Sequence, residues 1–209
     1  IVGYDTRFAS DRFAARTAEV FAGNNLPTLL CDRAAPTPVI TYHVLAKQTS
    51  GAGIITASHN PPEWNGFKFK PDYAGSASSD IIALIESKIA AAQTRAPSTI
   101  PLSDALENGL IRLFDPRGHY VDHVAKIVDL DSLKQAGFNI CVDAMHGAGA
   151  GYLPLILASP HESIAEIRSD ANPGFPHMQQ PEPIAQNLSD LSNHVVESNS
   201  DIGIAFDGD

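Results

Sequence analysis

Gly53-Ile-Ile-Thr-Ala-Ser58-His-Asn-Pro-Pro-Glu-Trp-Asn-Gly-Phe-Lys68 is the stretch that decides how this chain reads. A short apolar run delivers Ser58 to the end of a strand. Pro61 and Pro62 then forbid continuation as helix or as central strand, because each lacks an N–H donor. Asn65-Gly66 turns the chain, and Phe67-Lys68-Phe69-Lys70 returns with alternating apolar and basic residues, the period of a half-buried strand. Lys68 and Lys70 therefore share one face. A serine hydroxyl needs a base, a cation or a metal to become a nucleophile. This loop offers His59 beside Ser58 and carries Lys68 back towards it. On residue chemistry alone, a loop serine capping its own turn and a pair of solvated lysines are the commoner fates of such residues.

The same βαβ logic extends outward from this stretch. Ile1-Val-Gly-Tyr4 reads as a strand, followed by a helix over 11–22 with Ser10 as cap and Gly23 as stop. Thr28–Cys31 is a second strand. Thr37 caps the next helix, with Pro38 at its first position. Beyond the Ser58 loop, Ile82, Ile85 and Ile89 give a helix over 79–92. Residues 94–118 are rich in Pro, Ser, Thr and acids, and Asp115-Pro-Arg-Gly118 marks the break between a first domain, 1–117, and a second, 118–209. The pattern restarts with a helix over 119–129 and a strand over 138–143. A tight Gly147-Ala-Gly-Ala-Gly151 turn leads into a helix holding Leu153, Ile156 and Leu157. A strand over 163–167, a four-proline loop over 169–183, a helix over 184–198 and a strand over 201–206 complete it. The expected class is α/β: two consecutive three-layer α/β/α domains with mixed, mostly parallel sheets. The glycine spacing is G-x-G-x-G rather than the dinucleotide G-x-G-x-x-G, which favours a close strand-to-helix connection. His146 reads as a packing histidine and His43 as a helix-face one.

Bulk properties narrow the function classes. With 209 residues, 44% hydrophobic and 18% charged, the chain can fold on its core without staples. A net charge of −10 argues against a nucleic-acid backbone or an anionic membrane as partner. It leaves room for a local basic pocket for a small anion, with Arg7, Arg12, Lys68 and Lys70 as candidates. Cys31 and Cys141 lie in apolar strands and read as reduced core thiols, the cytoplasmic pattern. Asp207-Gly-Asp209, after a buried-type strand, sets two hard oxygen ligands at a strand end. That placement suits Mg²⁺ in an open α/β sheet, and equally suits a turn that ends a strand.

Taken together, Tyr4-Asp-Thr-Arg7, Pro36-Thr-Pro38, Thr56–Lys68, Asp143-Ala-Met-His-Gly-Ala-Gly149 and Gly203–Asp209 resemble, in order, segments of the α-D-phosphohexomutase family, the phosphoglucomutase and phosphomannomutase enzymes. The resemblance implies that Ser58 carries a phosphoryl group and exchanges it with a hexose phosphate through a bound 1,6-bisphosphate. By the same resemblance Lys68 transfers protons with His59 supporting it, and Arg7 binds substrate. Asp207, Asp209 and the Ser58 phosphate hold Mg²⁺, and a glucose 1,6-bisphosphate-type activator primes Ser58. Partners are then the sugar phosphate and later domains of the same protein. The first strand of domain 1, a third aspartate of the metal loop and two later domains lie outside the 209 residues, so the piece alone is expected to be weak or inactive. Phosphoglucosamine mutase and a non-catalytic sugar-phosphate binder are the alternatives. A serine hydrolase is disfavoured because no nucleophile elbow is present.

Overall fold

The computed structural model describes residues 1–157 and 163–209. The first sheet contains β1 (Val2–Tyr4), β2 (Thr28–Cys31), β3 (Gly51–Ile55), β4 (Phe67–Pro71) and β5 (Ile111–Phe114), in the order β4-β3-β1-β2-β5. All neighbours are parallel except β3–β4, a hairpin in antiparallel register with Ile54 opposite Lys68. Helix α1 (Ser10–Gly23) covers one face and α2 (Thr37–Ala46) the other. Strand alternation explains the division. Val2, Leu30, Ile55 and Ile111 pack with Ala14, Ala18 and Ala22 of α1, whereas Cys31, Ala52 and Ile54 pack with Val39, Ile40 and Val44 of α2. Each fully buried aliphatic side chain contributes about 1.5–3 kcal/mol, so these two clusters hold the sheet between its helices.

Two caps differ from the sequence expectation. Ala9, in a left-handed conformation, occupies the cap of α1, and the Ser10 hydroxyl instead donates to Asp5 Oδ1 at 2.9 Å. Pro36 precedes α2, and the Thr37 hydroxyl is free to reach elsewhere. In both cases the hydroxyl goes to a buried carboxylate, Asp5 or Asp209, rather than to the helix end. The segment 94–118 is also more ordered than its composition suggests. It holds α4 (Leu102–Glu107) as well as β5, which completes the first sheet beside β2. Between β4 and α4 runs α3 (Ser79–Ala92), capped by Ser78, with Ile82, Ile85 and Ile89 38, 41 and 46% exposed.

The second sheet is wholly parallel. Strand β6 (Asn139–Asp143) lies between β7 (Ser163–Ile167) and β8 (Ile202–Ala205). Its helices are α5 (Arg117–Ile127), α6 (Leu130–Ala136), α7 (Tyr152–Leu157) and α8 (Ser189–Glu197). The helix expected over 119–129 is α5, and α6 follows it unforeseen: Asp129 caps α6 by accepting from the Ser132 N–H, and Gly137 ends it with φ 67°. Leu153, Ile156 and Leu157 pack on Ile140 and Val142 as their spacing predicts.

The two layered units share side chains. Tyr152 of α7 is buried in the core cluster of the first sheet. Tyr42 of α2 sits among His119, Tyr120 and His123 of α5, and its hydroxyl lies 2.9 Å from His119 Nδ1. The buried His43 Nε2 lies 2.7 Å from the Pro116 carbonyl. No helix among the described residues is long and apolar enough to cross a membrane.

Candidate active site

Ser58 stands just beyond the C-terminal end of β3, the edge at which open α/β sheets place their ligands. Its backbone is left-handed, φ 55°, a conformation that costs a non-glycine residue of order 1–3 kcal/mol and persists only where the surroundings enforce it. Two contacts enforce it here. The Ser58 N–H donates to Thr56 Oγ1 at 2.8 Å. Arg7, 3% exposed, drives its guanidinium into the loop and donates to the carbonyls of Ser58 (2.6 Å), Asn60, Pro61 (2.9 Å) and Trp64 (3.0 Å). Asp5 faces the same guanidinium at 3.4 Å. Burial pushes the Asp5 carboxyl up, with hydrogen bonds from the Arg7 N–H and Ser10 opposing. Arg7, expected to bind substrate, has its four terminal donors engaged by main-chain carbonyls, and it braces the serine loop from behind. Arg12 does not join it; it lines a groove on the outer side of α1 with Phe8 and Glu19.

The other half of the site comes from the second sheet. Beyond β8 the chain turns through Asp207-Gly-Asp209, held where the Gly208 N–H donates to Pro181 O and Gly208 O accepts from the Ala148 N–H. A Cβ at Gly147 would stand 2.6 Å from the Gly208 backbone, so the glycine-rich turn after β6 serves close backbone approach, as its spacing suggests. The turn presents Asp209 to four donors of the first domain. Oδ2 accepts from Lys68 Nζ (2.8 Å), Thr37 Oγ1 (2.9 Å) and Thr56 Oγ1 (3.2 Å), and Oδ1 accepts from Ser58 Oγ (3.2 Å). Burial raises the Asp209 carboxyl, but the bond and charge of Lys68 and the two threonine bonds outweigh it and hold the group below the usual carboxylate range.

Asp207 is the opposite case. Burial, then the neighbouring Asp209 charge, pushes its carboxyl up, and its buried Oδ1 has no hydrogen-bond partner among the described residues. An orphaned carboxylate oxygen beside a second carboxylate and a hydroxyl is a hard-oxygen set with one lone pair unused, which fits a Mg²⁺ ion. Asp207, Asp209 and an oxygen on Ser58 would hold it. His59 is exposed, close enough to Asp207 that its charge favours the carboxylate.

Ser58, Lys68, Asp207 and Asp209 thus come together, with His59 at the margin. A cleft of about 320 Å³ opens beside them, lined by Thr37, Pro38, Lys68, Phe206, Asp207 and Asp209. Lys70 shares the face of Lys68 but pairs with Ala52, one step further from Ser58. Sequence reasoning missed Thr37, read as a helix cap, and Thr56, unassigned within its motif. Prolines on both sides of Thr37 were the available signal, since Pro36 already fixes the helix start. Cys31 is buried at the seam, its thiol pushed up to about 12 by burial, away from this chemistry.

With the geometry in hand, the comparisons with known proteins are concordant. Residues 1–96 match the family description Phosphoglucomutase/phosphomannomutase, alpha/beta/alpha domain I, and residues 118–209 match domain II. A protein named Probable phosphomannomutase from Haemophilus influenzae is 34% identical over all of this chain and 43% of its own length. A Probable phosphoglucosamine mutase from Methanopyrus kandleri is 32% identical over all of this chain and 44% of its own. A crystal structure assigned as a phosphomannomutase from Thermus thermophilus superposes with a TM-score of 0.85 at 30% identity, over 99% of this chain and 45% of that one. The chain spans less than half the length of these relatives.

Proposed function

Because the chain belongs to the phosphoglucomutase/phosphomannomutase family, we propose that it is the phosphoryl-carrying half of a hexose-phosphate mutase, with Ser58 as the carrier. The observation that carries this reading is the Asp209 carboxylate, which receives Ser58 Oγ from one side and Lys68 Nζ from the other across a domain boundary. Phosphoryl transfer asks for positioning and charge neutralisation more than covalent invention. In the forward step the bond between phosphorus and Ser58 Oγ breaks as one forms to a sugar hydroxyl oxygen. Lys68 carries the proton from the sugar hydroxyl to the departing Oγ, with His59 supporting it. The product is a hexose 1,6-bisphosphate. After it reorients, the other phosphoryl group returns to Ser58 and the proton moves back. A bound Mg²⁺ would supply positive charge to the transferring group. Sugars of the glucose and mannose series are the proposed substrates. The similarity to proteins named phosphoglucosamine mutase makes the amino sugar the competing one.

The test uses the full-length protein. Incubated with glucose 1,6-bisphosphate, it should gain the mass of one phosphoryl group on Ser58, and Ser58→Ala should gain none and lose mutase turnover. Absence of phosphate on Ser58 together with unchanged turnover in Ser58→Ala would sink the reading. Rates with glucose, mannose and glucosamine phosphates then rank the sugars.

A further inference from the structure

The four-proline loop over 169–183 does more than hold the Asp207–Asp209 turn through Pro181 O: it buries the largest fully enclosed side chain among the described residues, Phe175 at 1% exposure. Its backbone is left-handed, φ 40°, which a bulky residue adopts only when something else fixes it. A local turn fixes it: the Phe175 N–H donates to Asn172 O, and Phe175 O accepts from the Met178 N–H. One side of the ring packs with Met145 and Met178. The other meets the first domain, with Arg7 Cζ 5.3 Å from the ring centroid.

Arg7 uses the edge of its guanidinium on the carbonyls of residues 58–64, so its flat faces remain to be covered. An aromatic face is suited to that, since it attracts a cation while excluding water. Leaving the guanidinium wet would let water compete for the four carbonyl bonds that set the path of the loop. We infer that Phe175 is a positioning residue: by capping Arg7 from the second domain it holds the Ser58 loop in its left-handed geometry, so the serine is correctly placed only when the domains are docked. The kinetic part of this inference rests on the mutase reading. The structural part does not.

The experiment compares Phe175→Leu, which keeps apolar volume but removes the aromatic face, with Met178→Leu, a change in the same cluster away from Arg7, both in the full-length protein. Phe175→Met repeats the test should the leucine variant fail to fold. Hydrogen exchange of amides 57–66 is read first. Phosphate uptake by Ser58 from hexose 1,6-bisphosphate and steady-state kinetics follow. Exchange should quicken in Phe175→Leu alone, with kcat down about tenfold and KM within about twofold, the pattern of a mispositioned group rather than lost binding. Unchanged loop exchange in the Phe175 variants, or equal effects in Met178→Leu, overturns the inference. If the wild-type protein takes no phosphate, the mutase reading fails while the exchange comparison still decides the clamp.

Discussion

Asp207 and Asp209 are two residues apart in one turn and have opposite electrostatic fates. Asp209 is held ionised by Lys68 and two threonines; Asp207 is buried with an oxygen that nothing satisfies. The consequence is measurable as stability. Ionised Asp207 is a local strain that a divalent cation relieves, and binding at saturating Mg²⁺ should stabilise the folded state by about 1–3 kcal/mol. Thermal unfolding of the full-length protein should therefore rise with Mg²⁺. In Asp207→Asn the rise should vanish, and the midpoint in chelator should not fall. A full Mg²⁺-dependent rise in that variant would place the cation elsewhere. At this scale the sequence was legible for which residues meet, since Ser58, Lys68 and the two aspartates are gathered at one cleft. It did not give the partners of Arg7 and Thr37, which lie 51–57 and 172 positions away. No local pattern records such pairings.

Among the elements, the central strands and amphipathic helices were readable because their periodicities are strong and both faces of each sheet are covered. Segments that earn their structure from a neighbour were not. Strand β5 is partly exposed, and it exists because β2 presents an open parallel edge to it. Helix α6 rests on one aspartate cap, Asp129, set between Val128 and Leu130 where no turn residue marks a boundary. The turn after β6 shows how one element aims another. Gly147→Ala would set a methyl 2.6 Å from the Gly208 backbone and force the Asp207–Asp209 turn outward. Overpacking of this kind costs about 1–3 kcal/mol. The expected outcome is a modest fall in the denaturation midpoint, with a far larger loss of turnover because Asp209 leaves Ser58 and Lys68. Equal fractional losses of both would argue that the turn is scaffold only.

Over the whole molecule, the two sheets are joined by shared burial, with Tyr152 in the first core and the α2–α5 aromatic seam beside it. His43 lies in that seam, its Nε2 at the Pro116 carbonyl and its buried Nδ1 without a partner among the described residues. Burial, with smaller contributions from Lys47 and His119, holds its pKa below the usual histidine value of 6.5. The folded state thus resists a proton that the unfolded chain accepts. Above the unfolded value the group is neutral in both states and its stabilising effect is complete. As pH falls below about 6.5 stability declines, and the decline continues down to the folded pKa. Unfolding midpoints measured from pH 7.5 to 5 should show this fall, and His43→Gln should flatten it. An unchanged slope in that variant would assign the acid sensitivity to another group.

Arg7 grips the serine loop by carbonyls, which every amino acid carries, and not by side chains. The path of the loop is therefore indifferent to what residues 59, 60, 63 and 64 display outward. Glu63 and the 60% exposed Trp64 can be exchanged by mutation without moving Ser58. Such a loop gives natural variation a place to retune what the protein recognises while the position of the reacting atom is inherited unchanged.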